Sequence, residues 1–139
     1  MRLHGWAIAG VLAALVSVAV AADDAESFVS GSSKRCIECD LSGRDLSDRG
    51  LERARLDRAN LAKANLTASS LFRGVLVHAN LAGAKLKDAN LNLIDGKWAD
   101  FRGADLTDAL LYGADLGSAD LSGAQLEGAK LGRAKLNQA

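Results

Sequence analysis

The sequence predicts an all-β solenoid, and two observations carry that prediction. Leucine recurs every five residues from Leu41 to Leu136, and eighteen of the twenty positions in this register hold Leu, with Gly96 and Phe101 at the other two. A small residue, usually Ala, lies two positions before most of these leucines, and Asp or Asn often lies directly before them. A repeat this regular is typical of a chain that stacks one short unit on the next.

A period of five excludes the two regular elements. On an α-helix, leucines five apart would be rotated by about 140° each time, so they would form no buried stripe. On a straight strand, side chains alternate between two faces, and an odd period would send successive leucines to opposite faces. A chain that turns a corner in every unit buries them all, because the small residue and the Leu, two apart, point to the same side. Glycine occupies the second corner position in six units, where a tight turn needs its backbone freedom: Gly43, Gly83, Gly103, Gly113, Gly123 and Gly128.

The run Ala104-Asp105-Leu106-Thr107-Asp108 shows the unit plainly, and the twenty units resemble the A-(D/N)-L-x-x consensus of the pentapeptide-repeat family. The resemblance covers roughly residues 39–139. It implies a right-handed, quadrilateral (four-sided) parallel β-helix with about five coils, stacked at roughly 4.8 Å over about 24 Å. Because Arg44 and Arg49 take small-residue positions, we expect the first coil to be frayed or imperfect.

Residues 1–21 read as a secretory signal peptide. Arg2 gives a basic start, the run from Ala7 to Val20 is apolar apart from Gly10 and Ser17, and residues 19–21 form a small-x-small cleavage site. An uncleaved anchor is the alternative, although the run is short for a membrane span. Residues 22–35 are polar and small, which predicts a flexible leader, in which Phe28 and Val29 could fold back over the first coil as a cap.

Cys36 and Cys39 form a C-x-x-C directly before the repeats, within a predicted domain of residues 36–139. They fall in the Leu position and the small-residue position of the register, so both should point inward. In an oxidising compartment they would form a local disulfide that closes the first coil. A zinc site lacks ligands, since His78 is the only histidine after signal cleavage, whereas a redox role stays open.

If four units complete a coil, residues twenty apart share a face. The first face carries Asp or Asn before every Leu, and the second carries Asp48, Asp88 and Asp108 at its corner. We interpret both sets as solvent-exposed turn residues that hydrogen-bond the nearby backbone. The large apolar outward residues fall on the third and fourth faces, with arginines and a histidine among or beside them. This predicts a patch that binds another protein or a second copy of the chain, the alternative being local packing over the sheet. The candidate patch residues are Phe72, Arg73, Val75, Val77, His78, Leu93, Trp98, Leu110 and Tyr112, with Arg53 nearby.

Two further places depart from the regular pattern. At Gly96 the unit has Ile94 where the small residue belongs, which indicates either an exchange of volume inside the coil or a local bulge that redirects Trp98. The last units run in register to Leu136 and Ala139, and an uncovered last coil would favour end-to-end dimerisation.

Composition narrows the function. The net charge is zero, which argues against DNA mimicry and against nucleic acid as a partner, and only Thr67 and Thr107 occur in the repeats, too few for an ice-binding array. No catalytic motif, metal site or cofactor-binding loop is present in the sequence pattern. We therefore expect a non-catalytic exported scaffold or interaction module, periplasmic, secreted or in a photosynthetic lumen, without a membrane span after signal cleavage. The alternative is an exported thiol-disulfide protein that acts through the cysteine pair.

Overall fold

The computed structural model describes residues 24–139. The predicted signal peptide and its cleavage site lie outside the described residues. A short helix, α1, covers residues 24–30, and every unit from residue 35 onward repeats one pattern of a single bridged residue followed by a two-residue turn. Among residues 24–139, no helix has the length and apolar character needed to cross a bilayer.

A parallel β-ladder winds through the repeats in single-residue steps. Each bridged residue pairs with the residue twenty positions later, from Arg35 with Arg55 to Asp115 with Lys135, and all of these bridges are parallel. The ladder does not form long strands, because the chain turns after each bridge. At each bridge the Leu N–H donates to the next winding, as Leu41 does to the Asn60 carbonyl at 2.7 Å, and Asn60 N–H donates to the Cys39 carbonyl at 2.8 Å. The offset of twenty residues spans four units, which makes the fold a parallel β-helix.

The interior is built from the two inward positions of each unit. The ladder side chains from Leu41 to Leu116 and the Ala side chains beside them are buried. Ser69 is the one polar residue among the buried side chains of the described chain, and its hydroxyl donates to the Leu66 carbonyl at 2.7 Å. The core is therefore continuous along the helix, as the five-residue period predicts.

Every turn places its second corner residue in the left-handed region of backbone space. The six corner glycines have positive φ, as expected, but so do fifteen corner residues that are not glycine, among them Arg73, Trp98 and Asp108. The turn closes when the small residue N–H donates to the preceding Leu carbonyl, as Ala54 does to Leu51 at 3.0 Å. The corner geometry is thus set by the repeat rather than by glycine, and most corners accept the local strain of an L-residue at positive φ.

The N-terminal end corrects two expectations. Residues 24–30, expected within a flexible leader, form α1, because Phe28 is completely buried against the first coil and Val29 packs beside it. The first coil is not frayed: Asp40, Asp45 and Gly50 all bridge to the second coil. Phe28 therefore acts as the cap that the sequence suggested. The helix that carries it was not expected from the sequence.

The unit around Gly96 keeps its place in the ladder. Asp95 bridges to both Val75 and Asp115, and Gly96 N–H donates to the Asp115 carbonyl at 2.8 Å. A Cβ on Gly96 would lie 3.0 Å from the Leu116 Cδ2 and 3.4 Å from the Ile94 Cδ1, so the Ile94 side chain, together with Leu116, fills the space that a leucine at position 96 would take. The departure is an exchange of volume within the core, and the bulge alternative is wrong.

The last units are less covered than the first. Leu121, Leu126 and Leu131 are partly buried against the core, and Leu136 is 41% exposed. End-to-end dimerisation at these units stays a prediction.

Candidate interaction surface

Each face consists of the outward residues of every fourth unit: the residue before the ladder position and the two residues after it. The first face belongs to the units of Leu41 and Leu61, the second to those of Leu46 and Leu66, and so on around the coil. The third face, from Gly50 to Arg133, and the fourth face, from Arg35 to Gln138, carry the predicted patch.

On the third face, two aromatic rings lie under arginines. The Arg73 guanidinium lies 5.2 Å from the centre of the Phe72 ring, and the Arg133 guanidinium lies 5.7 Å from the centre of the Tyr112 ring. Asn92 Oδ1 accepts the Tyr112 backbone N–H at 2.7 Å, which fixes the backbone of that unit to the coil before it. The arginines of this face are therefore held over apolar rings.

Leu93 and Leu110 occupy the middle of the third face. A Cβ on Gly113 would lie 2.6 Å from the Leu93 Cδ2, so Leu93 folds over the glycine of the next coil. Both leucines nevertheless stay more than a third exposed. The local-packing alternative thus holds for part of the Leu93 side chain, while an apolar surface remains open to solvent.

On the fourth face, His78 and Trp98 stack. Their ring centres are 5.1 Å apart and their planes differ by 12°. The stack covers one side of the indole, yet Trp98 remains 52% exposed and is the most exposed of the large apolar side chains in residues 24–139. Val75 and Val77 are half-buried beside the stack. Stacking between neighbouring coils therefore orders Trp98 without removing it from solvent.

An ion-pair network borders Trp98. The Lys97 ammonium lies 3.2 Å from Asp95 and 3.4 Å from Asp115, and Lys135 lies 3.8 Å from Asp115. Hydrogen bonds to these two carboxylates raise the pKa of Lys97. An open groove of about 420 Å³ runs between Trp98 and this network, lined further by Ser118, Asn137 and Gln138.

The balanced overall charge is sorted between faces. The second face carries six carboxylates and two lysines, whereas the third face carries three arginines and Lys130 against one carboxylate, Glu52. That carboxylate is already paired with Lys34 at 3.3 Å. A formal charge of zero for the whole chain therefore hides an acidic face beside a basic one.

The aspartates on the first and second faces act in turns. Asp45 accepts hydrogen bonds from the Ser47 hydroxyl and N–H, which lower its pKa, and Ser122 lowers the pKa of Asp120 in the same way. On the first face the hydrogen bond from the Arg102 side chain lowers the pKa of Asp100. These carboxylates, directly before the ladder position, are engaged with their own turns, which confirms the sequence interpretation for that position; for the corner residues Asp48, Asp88 and Asp108 it stays a prediction. Within the described residues, no cluster of His, Cys, Asp and Glu has the arrangement of a metal site.

The cysteine pair lies in the interior of the first coil. The two sulfur atoms are 2.16 Å apart, at disulfide-bonding distance, and both side chains are fully buried. Both occupy the inward positions that the register predicts for them.

Sequence reasoning missed the role of Arg44 and Arg49. Instead of filling the interior, both reach α1: Arg44 forms an ion pair with Glu26, and the Arg49 Nη1 donates to the Val29 carbonyl at 2.7 Å. The signal was present in the sequence, since a charged residue at a small-residue position has to leave the core. The helix that receives these arginines was not anticipated.

Comparison with known proteins gives one consistent result. The family model for pentapeptide repeats matches eight copies within residues 35–73 and 98–138. Among solved structures, the chain is 30% identical to the pentapeptide repeat protein Rfr23 from the cyanobacterium Cyanothece 51142, with a TM-score of 0.70, covering 76% of this chain and 85% of that one. It is also 30% identical to a pentapeptide repeat protein from the Arabidopsis thaliana thylakoid lumen, with a TM-score of 0.64, covering 73% and 68% of the two chains. These likenesses imply a right-handed β-helix. No curated protein matches the sequence.

Proposed function

Since the chain belongs to the pentapeptide-repeat family, we propose that it is a non-catalytic, exported scaffold that presents its third and fourth faces to another protein or to a second copy of itself. The observation that carries the proposal is Trp98, half exposed on a rigid ladder and ordered by its stack with His78. A large aromatic that is held in place and left in solvent is a common anchor of protein interfaces. Members of this family are generally repeat scaffolds without catalytic activity, which supports the non-enzymatic assignment.

The finer architecture is part of the proposal. A bridge offset of twenty residues with a turn in every unit supports a four-sided cross-section, and the bridges from Arg35 to Lys135 support about five coils. Side chains in one column would then repeat at about 4.8 Å. Such a regular spacing is what allows the scaffold to present side chains at fixed distances.

Export is supported by two independent features. Residues 1–21 have the composition of a secretory signal, and the cysteine pair sits where an oxidising compartment would join it. The similarity to a thylakoid-lumen protein supports a photosynthetic lumen as one destination, beside periplasm and medium. Fractionating the cells that produce the protein, with N-terminal sequencing of the recovered chain, tests this: a mature start near residue 22 is expected, and an unprocessed cytoplasmic chain would refute export.

The thiol-disulfide alternative is less well supported. Both cysteines are fully buried in the coil that α1 covers, so a partner thiol could not approach them in the folded state. Free-thiol titration of the native protein in a mild glutathione buffer should find no reactive cysteine, and ready reduction without unfolding would favour the redox role instead.

The interaction proposal is tested by solution mass and by capture of partners. Light scattering over a concentration series, followed by a pull-down from the exported compartment, should reveal a dimer or a bound protein. Trp98→Ser combined with Tyr112→Ser should abolish that association, whereas the matched surface change Lys63→Ser on the first face should leave it intact. The proposal would be refuted if the protein stays monomeric and every protein that it captures is also captured by the Trp98→Ser, Tyr112→Ser variant.

A further inference from the structure

We propose that the third face binds an extended acidic segment of the partner protein, whose carboxylates pair with Arg73 and Arg133 and whose apolar side chain between them packs on Leu93. This inference rests on the proposed function, because it assumes that the partner is a protein. It adds the chemistry of the segment that is recognised.

Within residues 24–139, the arginines of the third face form no ion pair, since Glu52, the one carboxylate of that face, is paired with Lys34. In the described chain, the ion pairs involve Lys34, Arg44, Arg55, Arg58, Lys97, Arg102 and Lys135. Arg53, Arg73 and Arg133 take part in none of them. All three lie in the same corner column, twenty or a multiple of twenty residues apart. The column therefore offers guanidinium groups that are free to bind an anion.

Two of these guanidinium groups are already positioned. The Phe72 and Tyr112 rings support Arg73 and Arg133, so less side-chain freedom is lost when a carboxylate binds than for a free arginine. The guanidinium can stack on a ring and still direct its N–H donors at a carboxylate in its own plane. Stacking thus prepares the third face for acidic side chains.

The spacing of the column fits an extended chain. Arg73 and Arg133 are three coils apart, which is about 14 Å at the rise of neighbouring strands. Four residues of extended chain cover about the same length, and residues i, i+2 and i+4 point to one side. A segment of the form acidic-x-apolar-x-acidic would therefore set its carboxylates at the two arginines and its apolar side chain between them, over Leu93 and the adjacent Gly113.

The surroundings favour a protein segment over other polyanions. A nucleic acid or a sulfated polysaccharide would offer nothing to the exposed Leu93 and Leu110, and its continuous negative charge would be repelled by the acidic second face, which adjoins the third face on the side away from the arginine column. A segment with two separated carboxylates and an apolar residue meets both conditions.

The test uses the purified protein, expressed from the full sequence, and a labelled seven-residue peptide with Asp at its second and sixth positions, Leu at its fourth and Ser elsewhere. Nuclear magnetic resonance titration in low salt should show saturable binding that perturbs the Arg73 and Arg133 side-chain signals. Arg73→Glu with Arg133→Glu should weaken binding by about tenfold, the order expected for two exposed charge pairs. The same double variant should gain affinity for a peptide with Lys in place of Asp.

Controls make the two proposals separable. Lys63→Glu makes the same charge change as Arg73→Glu alone, at the opposite corner of the same coil, and should leave peptide binding unchanged. Equal binding of a peptide with Ser in place of Leu, or equal binding to the double variant, would overturn the acidic-segment proposal. Loss of the partner in the Trp98→Ser, Tyr112→Ser protein but not in the arginine variant would refute this inference while leaving the proposed function standing.

Discussion

Arg44 and Arg49 stand where most units hold a small residue, whereas Ile94 and Gly96 exchange a large and a small side chain within one unit. The arginines leave the interior and contact α1 at the end of the coil, where Phe28 is completely buried. The exchange at Ile94 stays inside the core and leaves the ladder intact. The repeat therefore tolerates a large residue at a small-residue position in two ways. Either the helix α1 contacts it outside the core, or a small residue two positions later makes room for it inside.

The largest expected effect concerns the covering element. Phe28→Ala should lower the free energy of unfolding by about 3–5 kcal/mol, because it removes a completely buried ring from the interface between α1 and the first coil. Urea denaturation followed by circular dichroism measures it. Phe72→Ala is the matched control: that ring is half-buried on the third face, so its removal should cost clearly less. Equal losses for the two variants would mean that α1 contributes little to stability.

The exchange inside the core is the next in size. Ile94→Ala should cost about 2–4 kcal/mol, because it removes most of a side chain that is almost completely buried in the core. Gly96→Leu alone should also destabilise, since even its Cβ would lie 3.0 Å from the Leu116 Cδ2. The double variant restores the ordinary unit and should recover most of the loss. Additive losses in this double-mutant cycle, measured by urea denaturation, would contradict the exchange of volume.

How far the sequence predicts this molecule can be judged at these same positions. Five-residue periodicity is sufficient for the β-helix because burial of Leu and small residues dictates it, and the inward cysteines follow from their register. The helix α1 could not be predicted, because its stability comes from Phe28 packing on a coil that exists only in the folded chain. The positive φ at corners such as Arg73 and Trp98 could not be predicted either, because these residue types do not favour it and the ladder imposes it.

The candidate surface was predictable in part. Counting outward positions places Phe72, Leu93, Trp98 and Tyr112 on neighbouring faces, as the bridge offset does. The arginine-on-ring pairs and the His78–Trp98 stack depend on side-chain conformations, within one unit for Arg73 and Phe72 and between coils for the others, which no spacing rule supplies. The separation of charge between the second and third faces is readable from the sequence only once the columns are known, and a net charge of zero conceals it.

The two arginines that hold α1 should differ in strength. Arg49→Met should cost about 1–2 kcal/mol, since it leaves the Val29 carbonyl without its charged donor in a part-buried position. Arg44→Ala should cost about 0.5 kcal/mol, because its ion pair with Glu26 is largely exposed. Hydrogen exchange of the α1 amides, together with denaturation, measures both. A larger loss from Arg44 would show that the ion pair, and not the backbone contact, fixes the helix.

The smallest expected effect is the dependence of stability on pH, which we compare for one carboxylate in the first coil and one beside Gly96. Ser47 hydrogen bonds lower the pKa of Asp45 in the first coil; beside Gly96, burial of Asp115 acts to raise its pKa, but the Gly117 N–H, Lys97 and Lys135 together lower it. A carboxyl whose folded pKa lies below its unfolded value stabilises the fold above the unfolded pKa, about 3.9, and loses that contribution as pH falls through the folded pKa. The protein should therefore lose stability between pH 4 and strongly acidic solution. Ser47→Ala should raise the pKa of Asp45, and Lys97→Met that of Asp115, each followed by carboxyl carbon resonances. An unchanged titration in either variant would show that the named donor does not hold that carboxylate in its ionised form.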